Sequence, residues 1–253
     1  MTEEAFAAAR FRVLAEETSA GGIGTLSEKS LHRILKLTVE PDESHHEVPL
    51  AGLVADVYTP QRGVTEIQTR AFERLNKKLP VFLPLCPVEI LYPVPREKYL
   101  RWVDPATGEM SPCRKSPRTN RPGVPCADVC RELYKIRRYL ADPHLSVTLA
   151  YLDVEEFRLR CGWDKEGKRG SRRMERIPLA LAQTVTLRGA ESYRRFLLPS
   201  GLPEPFTVRA YAAATHMKPR WAYAAVRILC EVGVLAHTAT AGREYLYAVC
   251  PPV

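Results

Sequence analysis

Val54-Ala55-Asp56-Val57-Tyr58-Thr59-Pro60-Gln61-Arg62-Gly63-Val64-Thr65-Glu66-Ile67-Gln68 is the stretch on which the fold turns. β-Branched residues on both sides of a Pro/Gly turn predict a hairpin. Glu66 and Gln68 stand two apart on one strand and so project from the same face. A two-residue loop at Gln61-Arg62 would set Asp56 against Ile67 and put the acids on opposite faces. A three-residue loop, Gln61-Arg62-Gly63, with Gly63 at positive φ, sets Asp56 opposite Gln68 and next to Glu66. In that register two carboxylates and an amide share one sheet face. Such oxygen ligands suit a hard divalent cation that can activate water against a phosphodiester. A one-residue slip destroys the arrangement. The competing reading is a solvated hairpin whose outer face is acidic.

The flanks give the hairpin a context. Leu26 to Val39 reads as a helix capped by Ser27, with Leu31, Ile34 and Leu35 as its buried stripe. Glu28 lies about 60° from Leu31 around that helix, with His32 on the same flank. Ala71 to Leu79 reads as a short basic helix containing Arg74, Lys77 and Lys78. Val81-Phe82-Leu83-Pro84-Leu85 and Val88-Glu89-Ile90-Leu91 follow as apolar strand runs. With a first strand at about His46 to Leu50, the order is helix, strand, strand, strand, helix, strand.

That order, with Asp56 on the second strand and Glu66-Ile67-Gln68 on the third, resembles the PD-(D/E)xK nuclease superfamily. The likeness is nearest to its Holliday-junction-resolvase-like and restriction-endonuclease-like branches, and it covers about residues 24 to 95. It implies an α/β fold with a restriction-endonuclease-like αβββαβ core. It also implies Asp56 and Glu66 as ligands for Mg²⁺ or Mn²⁺, and Glu28 as an accessory carboxylate. Gln68 occupies the place of the usual Lys. Some members carry Gln there, but the exchange removes a cation that would orient water or stabilise the transition state.

Charge is unevenly spread. The chain of 253 residues carries a formal +8. Residues 1 to 57 hold five Lys/Arg against ten Asp/Glu, so the rest of the chain is strongly basic. An acidic end joined to a basic body suits a phosphodiesterase acting on nucleic acid, although solubility alone also explains such a surplus. The length exceeds the commonest single-domain size. The expected division is an N-terminal helical extension over 1–23, a nuclease-like α/β domain with basic insertions over 24–198, and a separate module over 199–253. No apolar run is long enough for a transmembrane helix. The N-terminus lacks the pattern of a signal peptide, and a cytoplasmic location is expected. Seven scattered cysteines then read as reduced thiols. Cys113, Cys126 and Cys130 lack the spacing of a zinc site, and His45-His46-Glu47 reads as a polar turn entering the first strand.

Residues 96 to 125, rich in Pro, Arg, Lys and Ser, read as a loop or hairpin with a basic face. Ala127 to Leu140 follows as a helix with Val129, Leu133, Ile136 and Leu140 at core spacing. Leu145 to Arg160 reads as a long strand. Trp163 to Arg176 reads as a basic hairpin tip, fit for phosphate contact or simply solvated.

Near the C-terminus, Thr207 caps a helix running to about Thr215, and Pro219 opens a second helix that Gly233 ends. Two strands over Ala236 to Val249 turn at Thr240-Ala241-Gly242. FTVRAYAAATHMKPRWAYAAVRILCEVGVL, residues 206–235, resembles the winged helix-turn-helix superfamily. That resemblance implies DNA contact through Lys218, Arg220, Trp221 and Tyr223 at the start of the second helix, with Arg243 in the wing. A protein-interaction winged helix is the alternative, since this segment carries little net charge.

Three functions follow. The first is a metal-dependent DNA endonuclease using Glu28, Asp56, Glu66 and Gln68. The second is a nuclease-fold DNA-binding protein whose site has lapsed. The third is a winged-helix transcription regulator. The expected partner is nucleic acid, DNA first, with a homodimer as a further option and no membrane.

Overall fold

Gly63 stands where the hairpin loop rejoins the sheet. Its φ is +83°, and a Cβ at this position would lie 2.2 Å from the Pro87 carbonyl oxygen, so only glycine fits. The computed structural model describes residues 1–19, 30–163 and 169–251. In it Thr59 pairs with Gly63, Tyr58 with Val64 and Val57 with Thr65, antiparallel. The loop is therefore Pro60-Gln61-Arg62, one residue earlier than expected, and it brings Asp56 level with Glu66 rather than with Gln68. The neighbouring Val64 N–H donates to the Pro87 carbonyl at 2.9 Å. Gly63 is thus already part of the strand and unavailable to the loop.

The element order is α1 (Glu3–Ser19), α2 (Ser30–Val39), β1 (His46–Leu50), β2 (Leu53–Thr59), β3 (Gly63–Ile67), α3 (Leu79–Phe82), β4 (Val88–Val103), β5 (Arg114–Lys115) and α4 (Ala127–Lys135). There follow β6 (Leu145–Trp163), β7 (Arg169–Leu187), α5 (Gly189–Leu197), β8 (Phe206–Thr207), α6 (Val208–Thr215), α7 (Pro219–Glu231), β9 (Leu235–Ala241) and β10 (Glu244–Val249). Short 3-10 turns cover Glu43–His45, Phe72–Lys77 and Arg137–Tyr139. The fold is mixed α/β. Its large sheet is ordered β1-β2-β3-β4-β6-β7, with β5 on β4, and a small sheet is ordered β8-β10-β9. β2 and β3 are antiparallel. β3 and β4 are parallel, with Glu66 against Ile90 and Ile67 against Leu91. Parallel neighbours need a crossover, which the segment 72–82 supplies.

Two expectations are corrected here. Val81 to Leu85 is not a strand: Pro80 opens α3, and Phe72, Leu75, Leu79 and Phe82 are buried at helical spacing. A short apolar run alone does not tell helix from strand. The segment at 71–79 is a 3-10 turn entering that helix rather than one regular helix. Residues 96–125 take the hairpin form among the two expected. β4 runs on to Val103 and pairs Tyr99 with Lys115 and Leu100 with Arg114. Pro93 and Pro95 are two apart, so both missing donors fall on one strand edge and the strand survives them.

Other expectations hold in outline. The helix over 127–140 is α4 followed by a 3-10 turn, with Val129, Leu133, Ile136 and Leu140 all buried. Of the expected basic tip over 163–176, Trp163 ends β6 and 169–176 belong to β7, while 164–168 lie outside the described residues. Thr207 accepts a hydrogen bond from the Ala210 N–H at 3.2 Å and so caps α6. Pro219 opens α7, and Gly233 follows it at φ +76°. Ser27, the expected cap of the first core helix, lies outside the described residues.

The chain divides into two compact units. The first comprises Met1–Glu47, Pro93–Pro122 and Ala150–Thr184. In it α1 and α2 pack together, burying Phe6, Val13, Ile34 and Leu35. Arg96 clamps Asp153 at 2.8 and 2.5 Å. The second comprises Val48–Tyr92, Gly123–Leu149 and Val185–Val253. It holds the β2–β3 hairpin, α3, α4 and all elements from α5 onward. Among the described residues no helix is long and apolar enough to cross a membrane.

Candidate active site

Asp56 and Glu66 lie on the same face of the β2–β3 hairpin. Val57 pairs with Thr65, and one step outward along each strand puts Asp56 and Glu66 together on the other face. Asp56 Oδ2 accepts a hydrogen bond from the Ile67 N–H at 2.7 Å. The carboxylate thus takes the place of a ladder carbonyl at the open end of the hairpin and fixes its own position against β3.

Glu66 is only 2% exposed. Burial and, after it, the charge of Asp56 push its carboxyl pKa up to about 7, against the pull of Lys78. Lys78 Nζ sits 2.9 Å from Oε1 and 2.8 Å from Oε2 of Glu66. A carboxyl that ionises near neutrality, beside a second carboxylate and an ammonium, can hold a cation or move a proton at physiological pH.

Lys78 joins this candidate site although the sequence pattern places it only on a basic helix. It stands where the 3-10 turn meets α3, between the buried anchors Leu75, Leu79 and Phe82. The Val81 and Phe82 N–H groups both donate to its carbonyl, at 3.0 and 2.9 Å. The turn itself is pinned from α4, where buried Glu132 accepts the Phe72 N–H at 2.9 Å and pairs with Lys135 at 2.8 Å. The signal was present in the spacing. Lys78 lies three after Leu75 and four before Phe82, on the flank of the buried stripe, whereas Lys77 points out.

The remaining expected residues stand elsewhere. The Gln68 amide donates to the carbonyls of Arg70 and Ala71 at 2.6 and 3.3 Å, bracing the turn in which Ala71 takes a left-handed φ of 61°. Glu28 lies outside the described residues. Among the described residues no cluster of three or more His, Cys, Asp and Glu could hold a metal ion.

In the C-terminal elements Lys218, Arg220 and Arg243 are exposed. Trp221 is half-buried, with the Arg220 guanidinium 4.5 Å above its ring and Arg131 of α4 at 6.0 Å. Val226 and Leu229 fill the core face of α7. Tyr223 is exposed, because Ala222 and Ala225 complete the buried stripe and turn it outward. Arg220, Tyr223 and Arg227 consequently form one outward stripe at helical spacing.

Residues 29–188 match the family described as Domain of unknown function (DUF8091), and the chain belongs to that family. The matched span contains Asp56, Glu66, Gln68 and Lys78. A protein of Treponema pallidum (strain Nichols), described as "Uncharacterized protein", is 31% identical over 234 residues, covering 91% of this chain and 88% of its own. That similarity necessarily extends into the segment after β7 that the family match leaves out. No solved structure matches.

Proposed function

We propose that this DUF8091 protein is a metal-dependent DNA endonuclease, built as a restriction-endonuclease-like αβββαβ core with a winged-helix DNA-binding module. The observation that carries the reading is the pairing of Asp56 with Glu66 on one sheet face, with Lys78 against Glu66. The mixed order β1-β2-β3-β4, with β3 and β4 parallel across a helical crossover, supports the core. The succession α6, α7, β9, β10 supports the module.

Asp56 and Glu66 fit a divalent cation in one respect: their mutual repulsion, part of what raises Glu66, is what such an ion relieves. They would be its protein ligands. The ion would supply a water of lowered pKa and Lewis-acid stabilisation of the phosphodiester. Lys78 supplies the cation that Gln68 cannot, from a different point in the chain. It balances the buried acid and stands ready to pair with an anionic phosphate oxygen.

The second reading, a DNA-binding protein with a lapsed site, is favoured by a specific observation. Lys78 already engages both oxygens of Glu66, and the Gln68 amide is committed to the turn at Arg70 and Ala71. Titration with Mg²⁺ and Mn²⁺, followed by calorimetry and melting, separates the two when duplex, branched and single-stranded DNA are assayed in parallel. The nuclease reading expects metal to raise Tm and to support cleavage, both abolished in Asp56→Asn. Metal binding or DNA binding without cleavage of any substrate supports the lapsed site. No response to metal and no cleavage, with duplex affinity retained, leaves a regulator.

A further inference from the structure

A cavity of about 330 Å³ opens between α7 and the β9–β10 hairpin, lined by Tyr223, Arg227, His237, Tyr245 and Tyr247. Its volume lies at the small end of ligand pockets, roughly 300–1,000 Å³. Tyr247 is buried and forms part of the floor, while Tyr223 and Tyr245 are 45% and 59% exposed. His237 meets Tyr245 edge to face, with ring centroids 4.9 Å apart at 85°, and meets Tyr247 at 6.0 Å and 64°. Rings set edge-on in this way leave faces free for a further ring to stack against.

Aromatic walls take either an organic cation or a flat ring. Arg227 decides between them. It brings positive charge to the wall, and none of the lining residues is a carboxylate, so a cation is repelled. Glu231 does not cancel that charge, because Arg227 at 3.6 Å and Arg137 at 3.5 Å share it. The chemistry recognised is a flat heteroaromatic ring that carries an anion. We propose that this cavity takes one unpaired nucleotide of a nucleic acid, its base stacked on Tyr223 and Tyr245 and its phosphate on Arg227. The space admits a single base but no base pair in its stack, so the preferred ligand is a single strand or a branched end over continuous duplex. This rests on the reading of α6–β10 as a nucleic-acid module.

The test uses the full-length protein with a fluorescein-labelled 12-nucleotide single strand, the matching duplex, and dAMP against deoxyadenosine and inorganic phosphate. The single strand should bind more tightly than the duplex, and dAMP more tightly than either of its halves. Tyr245→Ala should weaken the single strand by about 5- to 150-fold while duplex affinity stays within about twofold. Tyr245→Phe, which keeps the ring, should restore binding. Arg227→Gln should flatten the log K against log salt slope for the single strand by about 0.7. Tyr245 is a surface residue, so its replacement leaves the fold intact, as circular dichroism will show. Equal losses on both DNA forms, or no loss with Tyr245→Ala, overturn the pocket and leave the module reading standing. A wild-type protein that binds neither DNA form overturns the module reading itself. Capture of a proline-rich peptide without any affinity for the single strand would make the cavity a protein-docking site and overturn the proposal.

Discussion

Lys78 straddles the Glu66 carboxylate, with Nζ nearly equidistant from the two oxygens at 2.9 and 2.8 Å. Glu66 is buried and Lys78 only partly so, so the ammonium keeps some hydration while the carboxylate depends on its partner. Asp56 on the same face adds a second negative charge. The three groups form one electrostatic unit, and each can be tested through its effect on the others.

Lys78→Met should destabilise the protein by about 3–5 kcal/mol at pH 8, the range for breaking a buried pair from one side. Without the ammonium the Glu66 pKa rises further, and the penalty applies only while Glu66 is ionised. The loss should therefore be smaller at pH 5.5, where Glu66 holds its proton. Urea unfolding at the two pH values measures the difference. A loss independent of pH would mean that Lys78 acts through packing of its methylene stem.

Glu66 also sets a pH dependence in the wild type. Its folded pKa of about 7 lies above the usual carboxylate value of roughly 4.3. Between those two values the native state binds more protons than the unfolded state, so stability falls as pH rises. The contribution is fully present below the unfolded pKa and is lost as pH passes through 7. A shift of that size corresponds to roughly 4 kcal/mol. Glu66→Gln should flatten the profile of unfolding free energy between pH 4.5 and 7.5, and an unchanged slope would place the titration elsewhere.

Gly63→Ala tests the turn that brings the two acids together. The residue combines a left-handed φ with a backbone oxygen, that of Pro87, only 2.2 Å from where an alanine Cβ would stand. Backbone cannot yield there as a flexible side chain would. A loss of about 3 kcal/mol or more is expected, with weaker hairpin protection in amide exchange. By contrast Gly52→Ala, where a Cβ meets nothing within 4 Å, carries only the cost of its own positive φ.

The sequence made the hairpin legible because Gly63 and the β-branched runs are local signals. Its register was not fully legible, since the Pro87 contact that draws Gly63 into the strand is distant in sequence. The parity nevertheless survived. Shifting the loop by one residue while keeping its length at three moves the pairing by two, so Asp56 and Glu66 stay on one face. Lys78 reads from sequence as part of a basic helix but not of the site, because the apolar run after it reads as strand and hides Phe82 as the next anchor of the buried stripe. The expected strand stops at Leu91 because the apolar run that marks it ends there, whereas β4 runs on to Val103. The C-terminal helices were read closely because Thr207, Pro219 and Gly233 mark their ends by local chemistry.

The last prediction separates the structural role of Gln68 from a catalytic one. The Gln68 amide donates to the Arg70 and Ala71 carbonyls, and Ala71 holds a left-handed conformation that costs a non-glycine residue roughly 1–2 kcal/mol. Gln68→Ala should destabilise the turn by about 1 kcal/mol, the net worth of an ordinary hydrogen bond. Ala71→Gly relieves the backbone and should recover about 0.5–1 kcal/mol in the double variant. DNA cleavage, where found, is then compared across the wild type, Gln68→Ala and the double variant at a temperature where all three are folded. If cleavage returns with stability, Gln68 serves the turn. Cleavage that stays low while stability is restored would show Gln68 acting on the substrate or its water.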